Sequence, residues 1–181
     1  NTVEYTEVTD SNYAIYLYDE MGYLSDLITT TTSYTFSYDC FGNRTSIAAG
    51  DFVITGYEYN QNNGKIKKVT YSNGLELEYI YNSLELVKEI WYNYNDGANI
   101  LAYEYEYTVY GNLVKFKNNL IGKTYVYSYD NNDRVIEYVV SDEYNKNNFS
   151  TSYVYDEFSR IDFVTYTLDY LAGQSWDGLS T

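Results

Sequence analysis

The stretch that decides the fold is Tyr16-Leu17-Tyr18-Asp19-Glu20-Met21-Gly22, with the apolar residues Leu24 and Leu27 after it. Tyrosines two residues apart in a strand project from the same face, because side chains alternate between the faces. An aspartate with a glycine three residues later is typical of a type I turn, in which the carboxylate accepts backbone N–H groups and glycine adopts a conformation that other residues resist. The stretch therefore predicts a strand, a turn and a returning strand.

This repeat occurs seven times, with its second tyrosine at positions 18, 38, 59, 81, 107, 129 and 155 and a step of 20 to 26 residues. Recurrence at such a period is the signature of a repeat architecture. Phe36 takes the first aromatic position of the second repeat. The other positions assigned to the repeat are Tyr16, Tyr18, Asp19, Gly22, Tyr38, Asp39, Gly42, Tyr57, Tyr59, Gly64, Tyr79, Tyr81, Tyr105, Tyr107, Gly111, Tyr127, Tyr129, Asp130, Tyr153, Tyr155 and Asp156.

Two apolar columns follow each turn. The second column lies three residues after the first, which is not the period of two of a strand. Either a bulge or bend intervenes, or the second column belongs to another face. The first column comprises Leu24, Ile66, Val87, Leu113, Val135 and Ile161, with Arg44 as the exception.

Polar turns separate the repeats, and Asn73-Gly74 is the strongest two-residue hairpin signal among them. The others are Thr29 to Thr32, Gly50-Asp51, Asp96-Gly97, Asn118-Asn119 and Asn145 to Asn148. The array is therefore expected to be a continuous meander of hairpins.

The composition favours strands that are partly exposed. The chain has 27 Tyr, 7 Phe and 2 Trp but no Pro, so most apolar area comes from a residue with a polar tip. Val, Ile, Thr, Tyr and Phe are the residues that strands prefer. We predict an all-β fold of tandem antiparallel β-hairpin repeats forming one long twisted, curved sheet, with at least a dozen strands and little helix.

Three segments are expected. Residues 1–15 are predicted to form a lead-in strand or cap, residues 16–170 the seven-repeat array, and residues 171–181 a tail or the start of a following segment. Within the array, the tyrosine rings are predicted to be mostly buried against their counterparts in adjacent repeats.

The charge excludes two classes of partner. With 11 Lys and Arg against 26 Asp and Glu, the formal net charge is −15, which repels a nucleic-acid backbone or an anionic membrane surface. No apolar run approaches the length that a membrane helix requires. We therefore predict no nucleic-acid partner and no membrane insertion.

The sequence offers little for catalysis or metal binding. Histidine is absent and Cys40 is the only cysteine, which excludes triad-type nucleophiles. Acids at repeat positions, such as Asp39 and Asp130, are more simply explained as turn caps than as catalytic pairs. The spacing of the run from Asp130 to Asp133 matches neither an EF-hand nor a nonapeptide calcium repeat. We predict no catalytic residue, no cofactor and no metal.

The stretches Tyr16 to Gly22, Phe36 to Gly42 and Tyr127 to Asp130 resemble the YD repeats of the RHS family. That family includes bacterial wall-associated and contact-dependent toxins, the cocoon-forming subunits of insecticidal Tc toxins, and teneurins. The resemblance covers roughly Tyr16 to Val164. Four of the seven repeats keep the aspartate and four keep the glycine. Without proline, nothing matches the family's terminal self-cleavage motif, so that activity is not carried over.

The resemblance implies a long sheet that spirals into a hollow shell around a toxic or signalling C-terminal segment. Seven repeats are fewer than a closed shell is expected to need, so the chain is expected to be part of a larger wall. It is then a non-enzymatic structural module of a large secreted or cell-surface, cell-wall-associated bacterial protein. Its expected partners are adjacent YD repeats and the enclosed C-terminal toxin or effector.

The alternative is an aromatic-rich carbohydrate-binding or adhesion module at the cell surface. Aromatic rings offer flat apolar faces to sugars, and neighbouring acids and amides can form hydrogen bonds with the hydroxyls. The candidate residues are Trp91, Tyr92 and Tyr94. Packing of these rings on the neighbouring hairpin is the simpler interpretation. The carbohydrate hypothesis predicts that Trp91 and Tyr94 are exposed.

Overall fold

The computed structural model describes residues 4–9, 12–95, 97–142 and 148–169. The regular secondary structure of these residues consists entirely of β-strands. The strands are β1 (Glu4–Thr9), β2 (Asn12–Tyr18), β3 (Leu24–Thr29), β4 (Ser33–Tyr38), β5 (Arg44–Ala49), β6 (Phe52–Tyr59), β7 (Ile66–Tyr71), β8 (Leu75–Tyr81), β9 (Val87–Tyr94), β10 (Ile100–Tyr107), β11 (Leu113–Asn118), β12 (Lys123–Tyr129), β13 (Val135–Asp142), β14 (Asn148–Tyr155) and β15 (Ile161–Asp169).

The strands follow one another through a 15-stranded sheet in chain order, each hydrogen-bonded to its neighbours. The strand registers are antiparallel, as in β2 with β3 and β12 with β13. The predicted all-β class of tandem hairpin repeats is confirmed. The predicted tail, residues 171–181, lies outside the described residues, as do Asp96 and most of the turn from Asn145 to Asn148.

The chain divides into two compact units. Compact unit 1 comprises Asn1–Tyr79 and Trp91–Ile100, and it contains the first three repeats. Compact unit 2 comprises Ile80–Ile90 and Leu101–Thr181, and it contains the fourth turn and the last three repeats.

A β-bulge, shown in six of the seven repeat hairpins, explains the spacing of three between the apolar columns. In the first repeat, Tyr16 lies opposite Leu27 and Tyr18 opposite Leu24, while Leu17 lies opposite Asp26. Ser25 is the extra residue, and its hydroxyl donates to the Leu17 carbonyl at 3.2 Å. One extra residue on the return strand brings both apolar columns to the tyrosine face. The same register shift occurs at Tyr38, Tyr59, Tyr107, Tyr129 and Tyr155.

The turn after the second tyrosine of each repeat is stabilised by the side chain of the first turn residue. In the first repeat, the Gly22 N–H donates to the Asp19 carbonyl at 3.0 Å. Asp19 Oδ1 accepts the N–H groups of Met21 and Tyr23, both at 2.9 Å. Gly22 has φ +85°, in the left-handed region that favours glycine. Three repeats place another residue at this position, with φ between 59° and 62°: Glu85, Asp133 and Ser159.

Burial is shallow throughout the sheet. Among the described residues, four are buried: Thr55, Val69, Ala102 and Thr151. The repeat tyrosines are all partly buried. The described ring contacts pair them with return-strand residues, such as Tyr105 with Phe116 and Tyr127 with Tyr138, because each hairpin places a return strand between a repeat tyrosine and its counterpart in the next repeat. Cross-strand contacts, rather than a thick core, therefore stabilise the fold.

Candidate functional surfaces

The tyrosine face is defined by the two aromatic positions of each repeat and the two apolar columns opposite them. In compact unit 2, Tyr105 stacks on Phe116 with ring centroids 5.1 Å apart, and Phe116 stacks on Tyr125 at 5.4 Å. Tyr127 stacks on Tyr138 at 6.2 Å. The ladder of rings thus runs through return-strand residues as well as through the repeat tyrosines.

The second tyrosine of a repeat fastens that repeat to the one before it. Its hydroxyl donates to the backbone carbonyl of the first apolar-column position in the preceding repeat, and we call this contact the phenol latch. Five latches of 2.7 to 3.0 Å are Tyr38 to Leu24, Tyr59 to Arg44, Tyr107 to Val87, Tyr129 to Leu113 and Tyr155 to Val135.

The bulge explains why a phenol is needed there. The ladder between β3 and β4 ends at the pair Asp26 and Thr35, so the Leu24 carbonyl lies beyond it. A backbone carbonyl left without a partner in a partly buried place is costly. The Tyr38 hydroxyl supplies that partner at 3.0 Å. The repeat keeps tyrosine rather than phenylalanine at this position because the hydroxyl has a structural task.

Burial raises the pKa of several latch phenols, since it disfavours the charged phenolate. This holds for Tyr59, Tyr107 and Tyr129. The hydroxyls therefore stay protonated, as donors must, throughout the physiological range.

The turns at the ends of the strands form a second set of contacts between repeats. In compact unit 2, Asp130 Oδ2 lies 2.6 Å from Nη2 and 2.7 Å from Nε of Arg134. This hydrogen bond holds the pKa of Asp130 below its ordinary value. The same guanidinium donates to Ser159 Oγ at 3.0 Å and lies 4.4 Å from the centroid of the Tyr155 ring. Adjacent repeats are therefore joined at their turns as well as at their latches.

A depression of about 290 Å³ lies on compact unit 1, on the face away from the tyrosine ladder. Glu58 projects between Tyr57 and Tyr59, and Lys68 lies opposite both Glu58 and Glu78 in the ladders. The Lys68 ammonium is 2.7 Å from Glu76 Oε1. That hydrogen bond raises the pKa of Lys68. The residues around the depression are Glu58, Lys67, Lys68, Glu76, Glu78, Trp91, Tyr92, Asn93 and Asn99.

The connection between β9 and β10 contributes Asn99 to the lining of the depression. Its Asn95 N–H donates to the Gly74 carbonyl at 3.0 Å, and a Cβ on Gly74 would collide with the Asn95 side chain. Asn93 Nδ2 donates to Asn99 Oδ1 at 2.7 Å and to the Gly97 carbonyl at 3.2 Å. Backbone and amide contacts thus hold Asn95, Gly97 and Asn99 in place.

The three carbohydrate candidates are separated by the fold. Trp91 and Tyr92 line the depression and are partly buried, whereas Tyr94 is 57% exposed and does not line it. Sequence reasoning missed Glu58, Lys68, Glu76, Glu78 and Asn99. The sequence does show that Glu76 and Glu78 alternate on one face of a strand. It does not show the strand register that brings them close to Glu58 and Lys68.

The described residues offer no metal centre: none of their His, Cys, Asp and Glu side chains form a group of three or more that could hold an ion. Cys40 is exposed and unpaired. Within the described part of the chain, no helix is long and apolar enough to cross a membrane.

The fold is similar to solved Tc toxin structures. A chain of the Photorhabdus luminescens Tc holotoxin pore superposes with a TM-score of 0.72 and 16% identity over 86% of this chain. A chain of the TcdB2-TccC3 crystal structure gives 0.74 and 11% over 93%. This chain spans only 9% and 10% of those chains. No family model and no curated protein sequence matches. The similarity shows that this chain and those segments share a fold.

Proposed function

We propose that the chain is a non-enzymatic wall segment of a large YD-repeat protein, which encloses a C-terminal toxin or effector. The observation that carries the proposal is the phenol latch. It recurs from repeat to repeat, and it uses the most regular side chains of the sequence to hold neighbouring hairpins together rather than to bind or transform a ligand.

Adjacent repeats are the first proposed partners. On the last described strand, β15, large apolar side chains are exposed: Ile161 at 55%, Phe163 at 62% and Leu168 at 64%. A sheet edge with such side chains is a template for another strand. A following hairpin would cover both the edge and these side chains.

The proposed location is outside the cell, in a secreted or cell-surface protein. The net charge of −15 supports solubility and discourages edge-to-edge association of exposed strands. The similarity in fold to Tc toxin chains supports the same setting.

The wall function is tested on the full-length product of the gene. We expect the segment after Thr181 to resist protease in the intact protein and to be cleaved when Tyr107→Ala weakens the wall. The same segment produced alone serves as the control and should be cleaved rapidly. A product without such a segment, or one in which the segment is cleaved equally fast with and without the wall, would contradict the enclosing role.

A second candidate function, carbohydrate binding, is favoured by one specific observation. Trp91 lies at a depression that also presents carboxylate, ammonium and amide groups. A glycan array probed with the purified chain tests it, and an array without any bound glycan would count against it.

A further inference from the structure

We propose that the depression of compact unit 1 is a binding site for one ring of a neutral sugar, with the Trp91 ring as its apolar surface and Glu78 and Asn99 among its polar partners. This inference rests on the second proposed function. It names the place and the class of ligand, which that function leaves open.

The site interrupts the repeat pattern. Most aromatic residues of the chain are tyrosines, 27 against 7 Phe and 2 Trp, and Trp91 is one of the 2 tryptophans. It lies on the strand that leads into the long connection between β9 and β10. That connection is held by Asn95 on Gly74 and by Asn93 on Asn99. None of these contacts is needed to form a hairpin, and together they hold Asn99 in place beside the strand that carries Trp91.

The size of the depression limits the ligand. Sites for small molecules usually enclose about 300–1,000 Å³, and this depression of about 290 Å³ lies just below that range. One pyranose ring fits such a volume. A folded peptide or a long aromatic ligand does not.

The lining chemistry suits hydroxyl groups. Three carboxylates and two ammonium groups surround the depression, and the Lys68 charge is already paired with Glu76 at 2.7 Å. Carboxylates accept hydrogen bonds from sugar hydroxyls, and amides both accept and donate them. Asn99 is exposed at the rim of the depression, so its amide is accessible to a ligand hydroxyl.

Electrostatics separates neutral sugars from charged ones. The excess of carboxylates at the site adds to the net charge of −15, so sialylated or sulfated glycans are repelled. Small cations are not favoured either, because Lys68 already lies between Glu58, Glu76 and Glu78.

The test uses the chain in a Trp176→Phe background, so that Trp91 is the only indole. Methyl glycosides of glucose, galactose, mannose and N-acetylglucosamine are titrated while the Trp91 emission is followed, with sialyllactose and choline as charged probes. We expect at least one neutral glycoside to give a saturable change and both charged probes to give none. Saturation by choline, or no saturation by any glycoside, overturns the assignment.

Variants then locate the site by calorimetry in the native chain. Trp91→Ala should weaken binding at least about tenfold, and Glu78→Gln and Asn99→Ala about three- to tenfold, as for lost hydrogen bonds. Tyr110→Ser, at an 87% exposed residue in compact unit 2, is the matched control and should leave affinity unchanged. Because Asn99 is exposed, its variant stays informative if Trp91→Ala fails to fold. Unchanged affinity in all three variants would overturn the site while leaving carbohydrate binding intact, whereas a blank glycan array would overturn both.

Discussion

The two faces of the sheet differ in how far their side chains are exposed. On the tyrosine face, both aromatic positions are partly buried in all seven repeats. On the other face, the residue between the two aromatics is exposed in five repeats, at Ser37, Glu58, Ile80, Glu106 and Val154. The tyrosine face therefore carries the contacts that hold the hairpins together, and the opposite face can vary without loss of the fold. The depression lies on the variable face.

The largest expected contrast is between two neighbouring residues, Tyr107 and Glu106. Tyr107→Ala removes a partly buried ring and its 2.8 Å latch to Val87, and it should cost about 2–3 kcal/mol, below the ~3–5 kcal/mol typical of fully buried aromatics. Glu106→Ala removes a side chain that is 63% exposed and should cost less than about 0.5 kcal/mol. Urea unfolding followed by far-UV circular dichroism measures both. Similar small effects would show that the tyrosine face does not hold the sheet.

The second prediction compares two turn glycines that share a left-handed backbone. Gly22 and Gly42 have φ +85° and +84°. A Cβ at Gly22 meets open space, whereas one at Gly42 would collide with the Tyr23 ring, which stacks on Tyr38 at 5.0 Å. Gly22→Ala should therefore cost about 1 kcal/mol, and Gly42→Ala about 2 kcal/mol. Equal losses of thermal stability would mean that the turn is independent of the tyrosine face.

The third prediction isolates the latch hydroxyl. Tyr129→Phe keeps the ring and removes the 2.7 Å hydrogen bond to the Leu113 carbonyl, so it should cost about 1 kcal/mol. Tyr110→Phe removes a hydroxyl from an 87% exposed turn residue and should cost nothing measurable. The free energy of unfolding in urea distinguishes them, and an equal response would assign no role to the latch.

Alkaline pH sharpens the same comparison. The folded pKa of Tyr129 is raised by burial, so its contribution is complete below the unfolded pKa of about 10 and is lost as pH rises through the folded pKa. The free energy of unfolding of the wild-type chain should therefore be constant up to about pH 10 and decrease above it. The fall should be smaller in Tyr129→Phe. An identical alkaline fall in both chains would show that this phenol does not contribute.

The sequence predicted the hairpin repeat because its strongest signals are local. Alternating tyrosines, an aspartate or asparagine at the turn and glycine at the fourth position each act within a few residues. The bulge followed less directly: the spacing of three required some irregularity, but only the register shows that Ser25 is the extra residue.

Long-range pairing accounts for what the sequence did not predict. The latch joins residues 14 to 20 positions apart, and nothing in the repeat unit indicates which carbonyl the phenol reaches. Likewise, Trp91 was identified from its residue type, but Glu58, Lys68 and Glu78 join it only through strand registers across several hairpins. Tyr94 has the right chemistry and points elsewhere, because position along a strand and the connection that follows decide the direction of each ring.

The smallest expected effect is in the turn of the sixth repeat. Asp130→Asn tests whether the charge of Asp130 contributes to the free energy of unfolding in addition to its turn hydrogen bonds. Asn82 already fills the same position in the fourth repeat, and its Oδ1 accepts the N–H groups of Leu84 and Leu86 at 2.9 and 3.0 Å. The variant should therefore keep the turn, lose only the ion pair with Arg134, and be destabilised less than Tyr129→Phe at neutral pH. Because the folded pKa of Asp130 is lowered, its charge contributes above the unfolded value of about 4 and ceases to do so as pH falls through the folded pKa. The stability curves of wild type and variant should thus converge on acidification, since Asp39 and Asp156 titrate in both chains. A gap that persists at low pH would assign the difference to the neutral hydrogen bonds of the turn and not to its charge.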